Sequence, residues 1–171
     1  PTLVIGGGHP LELQTLRDAG LDPLYVLTAH APEAEAAQRW GVEAVCGDIH
    51  DLPYPSGGMR VIFTSNVLEH VFAPYLALME CRRVAMSGAI AYHAIPEFEG
   101  PECGVGPFHL HCLTEPVWRQ LLVKTGWEVL SVARVTRADG HTYQHFLCQT
   151  ADLPDLHREV LARVEAMRAS L

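Results

Sequence analysis

Ten histidines in a chain of 171 residues are an unusual supply of imidazoles, which near neutral pH can change charge, move protons or bind metal. Four of them fall where chemistry could use them. His70 closes the run Leu68-Glu69-His70, and His93 alternates with Tyr92 inside an apolar stretch. His109 and His111 flank Leu110, and in extended chain residues two apart point to the same side. Two imidazoles on one side could serve a bound substrate as acid or base. They could also bind a metal with His70, His93 or Glu97 as third ligand. His-x-His alone lacks the fixed partner spacing of a zinc finger, so no metal site is assigned. His93 also reads as a satisfied core histidine, and Glu69-His70 as residues shaping a helix start through hydrogen bonds. His141 and His145 are expected on the solvent side of a late strand, and His157 on an exposed helical face. A second feature is the run Gly6-Gly7-Gly8 between Ile5 and His9-Pro10. Consecutive glycines after a strand and before a helix let backbone approach a ligand and expose N–H groups, although they also suit a plain tight turn.

The elements that must position these residues alternate. Thr2 to Ile5, Leu24 to Leu27, Glu43 to Cys46, Arg60 to Ser65 and Ala89 to Ile95 read as short apolar strands. Between them, Pro10 to Ala19, Ala31 to Trp40 and Pro74 to Ala85 read as helices, the last with Leu76, Met79 and Val84 facing inward. Pro96 to Cys112 is a long irregular segment, a length that is usually functional. Thr114 caps a further helix that stops before Gly126. Trp127 to Val135 and Thr142 to Cys148 form an antiparallel hairpin about the turn Ala138-Asp139-Gly140. Pro154 to Leu171 is a final helix with Val160, Val164, Met167 and Leu171 on one face. This alternation predicts an α/β fold, a Rossmann-like doubly wound and mostly parallel sheet with an antiparallel C-terminal hairpin strand. Ligands then bind beyond the carboxyl ends of the strands. That brings Gly6 to Pro10, Thr28 to His30, Gly47 to Ile49, Asn66 to His70 and the segment from Pro96 to one site.

Composition narrows the partners. Hydrophobic residues make up 49% and charged residues 19%, with no apolar run long enough for a membrane span. A net charge of −8 without a Lys/Arg cluster argues against gripping nucleic acid, and Arg82-Arg83 reads as a solvated pair. Five cysteines without a C-x-x-C pair fit reduced thiols and a cytoplasmic location.

A longer pattern runs through the middle of the chain. Gly47-Asp48-Ile49 with Leu52-Pro53-Tyr54 is followed by Val61-Ile62-Phe63 and Asn66-Val67-Leu68-Glu69-His70-Val71, then Glu80-Cys81-Arg82-Arg83-Val84 and Ser87-Gly88. His109-Leu110 and Leu121-Leu122 to Gly126-Trp127-Glu128-Val129 continue it. This succession resembles the class I S-adenosylmethionine-dependent methyltransferases, in particular the small-molecule branch related to ubiquinone and menaquinone biosynthesis enzymes. The resemblance implies a seven-stranded sheet in a domain of residues 1–150; the helix expected within 151–171 lies outside it and is expected to pack on that domain or on a partner. It implies S-adenosylmethionine as cofactor, S-adenosylhomocysteine as product and a small-molecule methyl acceptor. Gly6, Gly7 and Gly8 would pass under the methionine part. Asp48 would bond the adenine amino group with Ile49 on the ring, and Asn66 and Val67 would line the transferred methyl. His70, His93, His109 and His111 would face the acceptor. Where the family carries an acid in the first strand this chain has Val4, and where it carries a ribose-binding acid after the second it has Thr28-Ala29-His30. Those differences keep a second expectation open, a non-catalytic binding or regulatory subunit, with a homodimer or protein partner held through the final helix. A histidine-ligated metal protein is the third.

Overall fold

The computed structural model describes residues 1–97, 108–138 and 140–151. The strands are β1 (Thr2–Ile5), β2 (Leu24–Thr28), β3 (Glu43–Cys46), β4 (Met59–Ser65), β5 (Ala85–Pro96), β6 (Trp127–Thr136) and β7 (Thr142–Thr150). The helices are α1 (Pro10–Asp18), α2 (Ala31–Arg39), α3 (Pro74–Val84) and α4 (Glu115–Lys124). All seven strands join one sheet in the order β3-β2-β1-β4-β5-β7-β6. β1 to β5 pair in parallel, and β7 runs antiparallel between β5 and β6. The expected doubly wound sheet with its antiparallel hairpin strand is thus the fold.

Period-two alternation assigns the side chains of β1 to two cores. Leu3 and Ile5 join Ile62, Leu78, Trp118, Leu122 and Trp127 on the face covered by α3 and α4. Val4 joins Val26, Leu13, Leu16, Ala34 and Ala37 on the face covered by α1 and α2. Each helix opens with a proline at its first turn, where the missing N–H has no helical partner to lose.

Several local expectations are corrected. β5 begins at Ala85 rather than Ala89, because α3 passes into it without a loop and a register shift opposite Met59 to Val61 absorbs the extra residues. Leu76 points to solvent, while Ala77, Leu78, Met79, Cys81 and Val84 fill the inward face of α3. Thr114 precedes α4 without a side-chain cap bond. Arg83 is not solvated: it forms a two-pronged pair with Glu80 (2.8 and 2.9 Å) and donates to the carbonyls of Leu52 and Tyr54. Glu80 also accepts from the Leu52 N–H at 3.0 Å, so one buried ion pair ties α3 to the segment after β3. His145 is half-buried and bonded to the Tyr92 hydroxyl. Cys46, Cys81 and Cys148 are free thiols, but Cys112 is in a disulfide, which a spacing search for C-x-x-C pairs does not detect. The expected segment 98–107, the final helix with its apolar stripe, and His157 lie outside the described residues. Among the described residues, no helix is long and apolar enough to cross a membrane.

Candidate functional site

A cleft of about 1180 Å³ opens at the carboxyl ends of β1 to β4. Its strand-end rim starts at Gly6, whose φ of +73° and N–H bond to the Leu27 carbonyl (2.8 Å) turn the chain out of β1. A Cβ there would stand 2.2 Å from Val67 Cγ2, so only glycine fits. Gly6, Thr28, Ala29, Asp48, Ile49, Asn66 and Val67, all expected at a cofactor site, line this one cleft. Gly7 and Gly8 do not line it. There the Glu12 side chain from α1 lies against the loop, accepting from the Gly8 N–H at 3.4 Å, and burial raises its carboxyl pKa.

Two further carboxylate arrangements complete the rim. The Thr28 hydroxyl donates to Glu33 Oε2 at 2.6 Å and accepts from the His30 N–H at 3.2 Å. Glu33 itself lines the cleft, a residue that reading strand ends alone passed over. The usable signal was its place in the first turn of α2, which folds back over the end of β2. Asp48 accepts from the His50 backbone N–H (2.9 Å) and ring Nδ1 (2.6 Å), and the backbone bond foremost lowers its pKa. His50 Nε2 accepts from the Ala73 N–H at 3.2 Å, so Nδ1 carries the ring proton and donates to Asp48.

The opposite rim is made of two loops. Asn66 sits at φ +54°, a left-handed conformation that asparagine tolerates, and its N–H is held by the Ala94 carbonyl at 3.0 Å. The chain then makes a turn through Leu68, Glu69 and His70 rather than starting a helix. The Glu69 carbonyl accepts from Leu110 N–H (2.8 Å) and His111 N–H (3.0 Å), and the His70 ring Nδ1 lies 2.7 Å from the Phe108 carbonyl. These bonds bring the His70 and His109 rings to 4.8 Å between centroids. His70, Phe108 and Leu110 line the cleft.

Glu69 is 0% exposed, and burial raises its carboxyl to about 6 against the pull of nearby backbone N–H dipoles and His70. Desolvation, then His70, lowers the His109 pKa. His111 Nε2 is buried without a hydrogen-bond partner. His93 is not brought to the cleft. It is 0% exposed, bonded to Thr64 Oγ1 at 2.8 Å and edge-on to Trp127, and burial depresses its pKa to about 4. The inward face of β5 thus claims it for the core, and it drops from the acceptor set.

A doubly wound sheet whose ligand cleft lies over a glycine turn defines the class of Rossmann-like nucleotide-cofactor folds. Within that class, the methyltransferase domain family matches residues 3–92, and this chain belongs to it. The fold is that of the class I S-adenosylmethionine-dependent methyltransferases. The structure resembles the Burkholderia thailandensis 1,6-didemethyltoxoflavin-N1-methyltransferase, solved with bound 1,6-didemethyltoxoflavin and S-adenosylhomocysteine, at 21% identity and a TM-score of 0.73 over 88% of this chain and 71% of that one. A SAM-dependent methyltransferase from Aquifex aeolicus matches at 20% identity and TM-score 0.69, covering 86% and 80%. The cyclase SpnF matches at 16% and 0.75, covering 88% and 74%, so the fold alone does not dictate the reaction. In sequence, a 37.1 kDa protein of a Streptomyces fradiae transposon is 29% identical over 109 residues, 56% of this chain. The chain spans about a third (32%) of the length of that relative.

Proposed function

We propose that this domain binds S-adenosylmethionine and transfers its methyl group to a small-molecule acceptor. The observation that carries the reading is the convergence of Gly6, Thr28, Asp48, Ile49, Asn66 and Val67 on one cleft in a methyltransferase-family chain. The donor set fits the cofactor. Asp48 is held ready to accept from an adenine amino group, and Ile49 offers an apolar surface to the ring. Glu33, steadied by Thr28 and lining the cleft, offers an acceptor for ribose hydroxyls. Glu12 offers negative charge beside the glycine turn, suited to the ammonium of the methionine end. Both carboxylates come from the first turns of helices rather than from strand ends. The cofactor, when bound, supplies an activated methyl group; the chain's own work is to orient the two reactants and keep water away. Phe72, Phe108 and Leu110 offer apolar cover for an acceptor on the loop rim. The succession from Gly47 to Val84 resembles the small-molecule branch related to ubiquinone and menaquinone biosynthesis enzymes, which favours a small-molecule acceptor over a macromolecular one.

Calorimetric titration with S-adenosylhomocysteine tests this. Saturable binding is expected, weakened about tenfold in Asp48→Ala, the worth of one charge-assisted bond. No heat at millimolar ligand overturns the reading.

A further inference from the structure

The loop rim of the cleft contains a polar arrangement that cofactor binding does not explain. Both carboxylate oxygens of Glu69 are buried, and neither makes a hydrogen bond of ordinary geometry among the described residues, although the backbone N–H groups of Glu69 and Val67 lie close enough to favour its charged form. An ionised carboxylate taken out of water without partners is costly enough that a native protein rarely keeps one. The nearest basic atom is His70 Nε2, 3.6 Å from Glu69 Oε1. The tautomer of His70 decides what that contact is. A backbone carbonyl can only accept, so the 2.7 Å contact with Phe108 oxygen puts the ring proton on Nδ1. Nε2 then presents a lone pair to a carboxylate oxygen. Two lone pairs face each other where the buried Glu69 carboxylate meets the partly exposed His70 ring at the edge of the cleft, an arrangement that suits a positive centre between them.

A histidine that donates one ring N–H to a backbone carbonyl and turns the other nitrogen inward has the outer-shell geometry of a metal ligand. His109 supplies a third donor. One ligand atom each from Glu69, His70 and His109 lie within 4.8 Å of one another. A tetrahedral ion with bonds near 2.1 Å wants its donors roughly 3.4 Å apart. The Glu69–His70 pair is already near that separation at 3.6 Å, and the His109 donor stands within 4.8 Å of both. The site is tied together by backbone bonds from Leu110 and His111 to Glu69, so the two loops that carry the ligands are held in register before any ion arrives.

We propose that Glu69, His70 and His109 form a binding site for a divalent transition metal of the zinc class. Two imidazoles and one carboxylate suit such an ion better than magnesium or calcium, which prefer all-oxygen shells. Three protein ligands leave a fourth position open, and His70 lines the cleft. That open position would take an oxygen donor of the bound small molecule, a hydroxyl or carboxylate; this last step, unlike the metal site, rests on the methyltransferase reading.

The test uses zinc alone on the metal-stripped full chain, by calorimetry and by elemental analysis after gel filtration. One zinc per chain is expected. Glu69→Gln, His70→Gln and His109→Gln should each weaken it by at least ~100-fold, beyond the 10–100-fold typical of outer-shell changes. His141→Gln, on the far hairpin, should leave it unchanged. Cobalt in place of zinc should give a spectrum without thiolate charge transfer, which separates this site from the exposed Cys46. Circular dichroism checks each variant, and His109→Gln decides should Glu69→Gln fail to fold. Absence of zinc binding, or binding that none of the three variants weakens, overturns the proposal and leaves a proton as the occupant of the Glu69–His70 gap. S-adenosylhomocysteine titration of the same samples keeps the two readings apart: zinc without the nucleoside sinks only the methyltransferase reading, and the nucleoside without zinc sinks only the metal.

Discussion

On the strand-end rim of the cleft, polar groups are paired with each other: Thr28 with Glu33 and Asp48 with His50. On the loop rim, Glu69 and His111 keep buried polar atoms without partners among the described residues, and Phe72 and Phe108 stand 87% and 75% exposed beside them. The first rim can exchange internal bonds for ligand bonds at little cost, because each group is already oriented. The second holds groups whose burial is uncompensated and apolar surface that is uncovered. Unsatisfied groups concentrate where a structure is built for something besides its own stability. The rims differ in support too. Strand ends and the first turn of α2 fix the first, whereas turns and cross-loop hydrogen bonds fix the second.

The largest expected effect probes the sheet beneath the loop rim. His93 protonates far less readily when folded than when unfolded, since its pKa falls from 6.5 to about 4 through burial and its Nε2 has no acceptor nearby. The unfolded chain therefore binds the extra proton first as pH falls. Its neutral form contributes stability fully above pH 6.5, and that contribution is lost progressively down to about pH 4. The loss is about 3 kcal/mol. Urea unfolding at pH 7 and pH 4 measures it. In His93→Gln this part of the pH dependence should vanish; if the slope persists, other groups carry it.

Next is the junction of the rims. Gly6→Ala places a methyl group against Val67 and forces alanine into a left-handed conformation. A loss of about 2 kcal/mol in stability is expected, together with S-adenosylhomocysteine binding. A variant that unfolds at the wild-type urea midpoint would mean that the turn relaxes and that Gly6 does not fix the geometry between the rims.

The strand-end rim was largely legible in the sequence, because a glycine turn, an Asp after the third strand and an Asn after the fourth fall at strand ends whose order the helix–strand alternation sets. Glu33 escaped because a helix, not a strand, delivers it, and strand-end reading looks no further than Thr28-Ala29-His30. The histidines of the loop rim were legible as types but not as partners. His109 meets His70 where hydrogen bonds join Phe108, Leu110 and His111 to a turn about forty residues earlier, and no local spacing encodes that contact. His93 illustrates the converse: alternation placed it on a strand, but which face pointed inward depended on the pairing of β5 with β4 and β7.

The smallest effect tests whether Glu33 truly completes the strand-end rim. Its carboxylate is exposed, so Glu33→Gln should change folding stability little. The amide keeps the shape and can still accept from Thr28 through its oxygen, but it removes the charge that would strengthen two hydroxyl bonds. S-adenosylhomocysteine affinity should fall about tenfold, near 1.4 kcal/mol. Thr28→Val removes the hydroxyl that orients the carboxylate and should cost a similar factor. Because the two act as a pair, the double variant should lose less than the product of the single losses. Calorimetry on the four proteins reads this directly. Affinities that multiply independently would mean that Thr28 and Glu33 serve the ligand separately, and unchanged affinity in Glu33→Gln would mean that the ribose is held by other groups and that this rim, too, leaves part of its recognition to the loops.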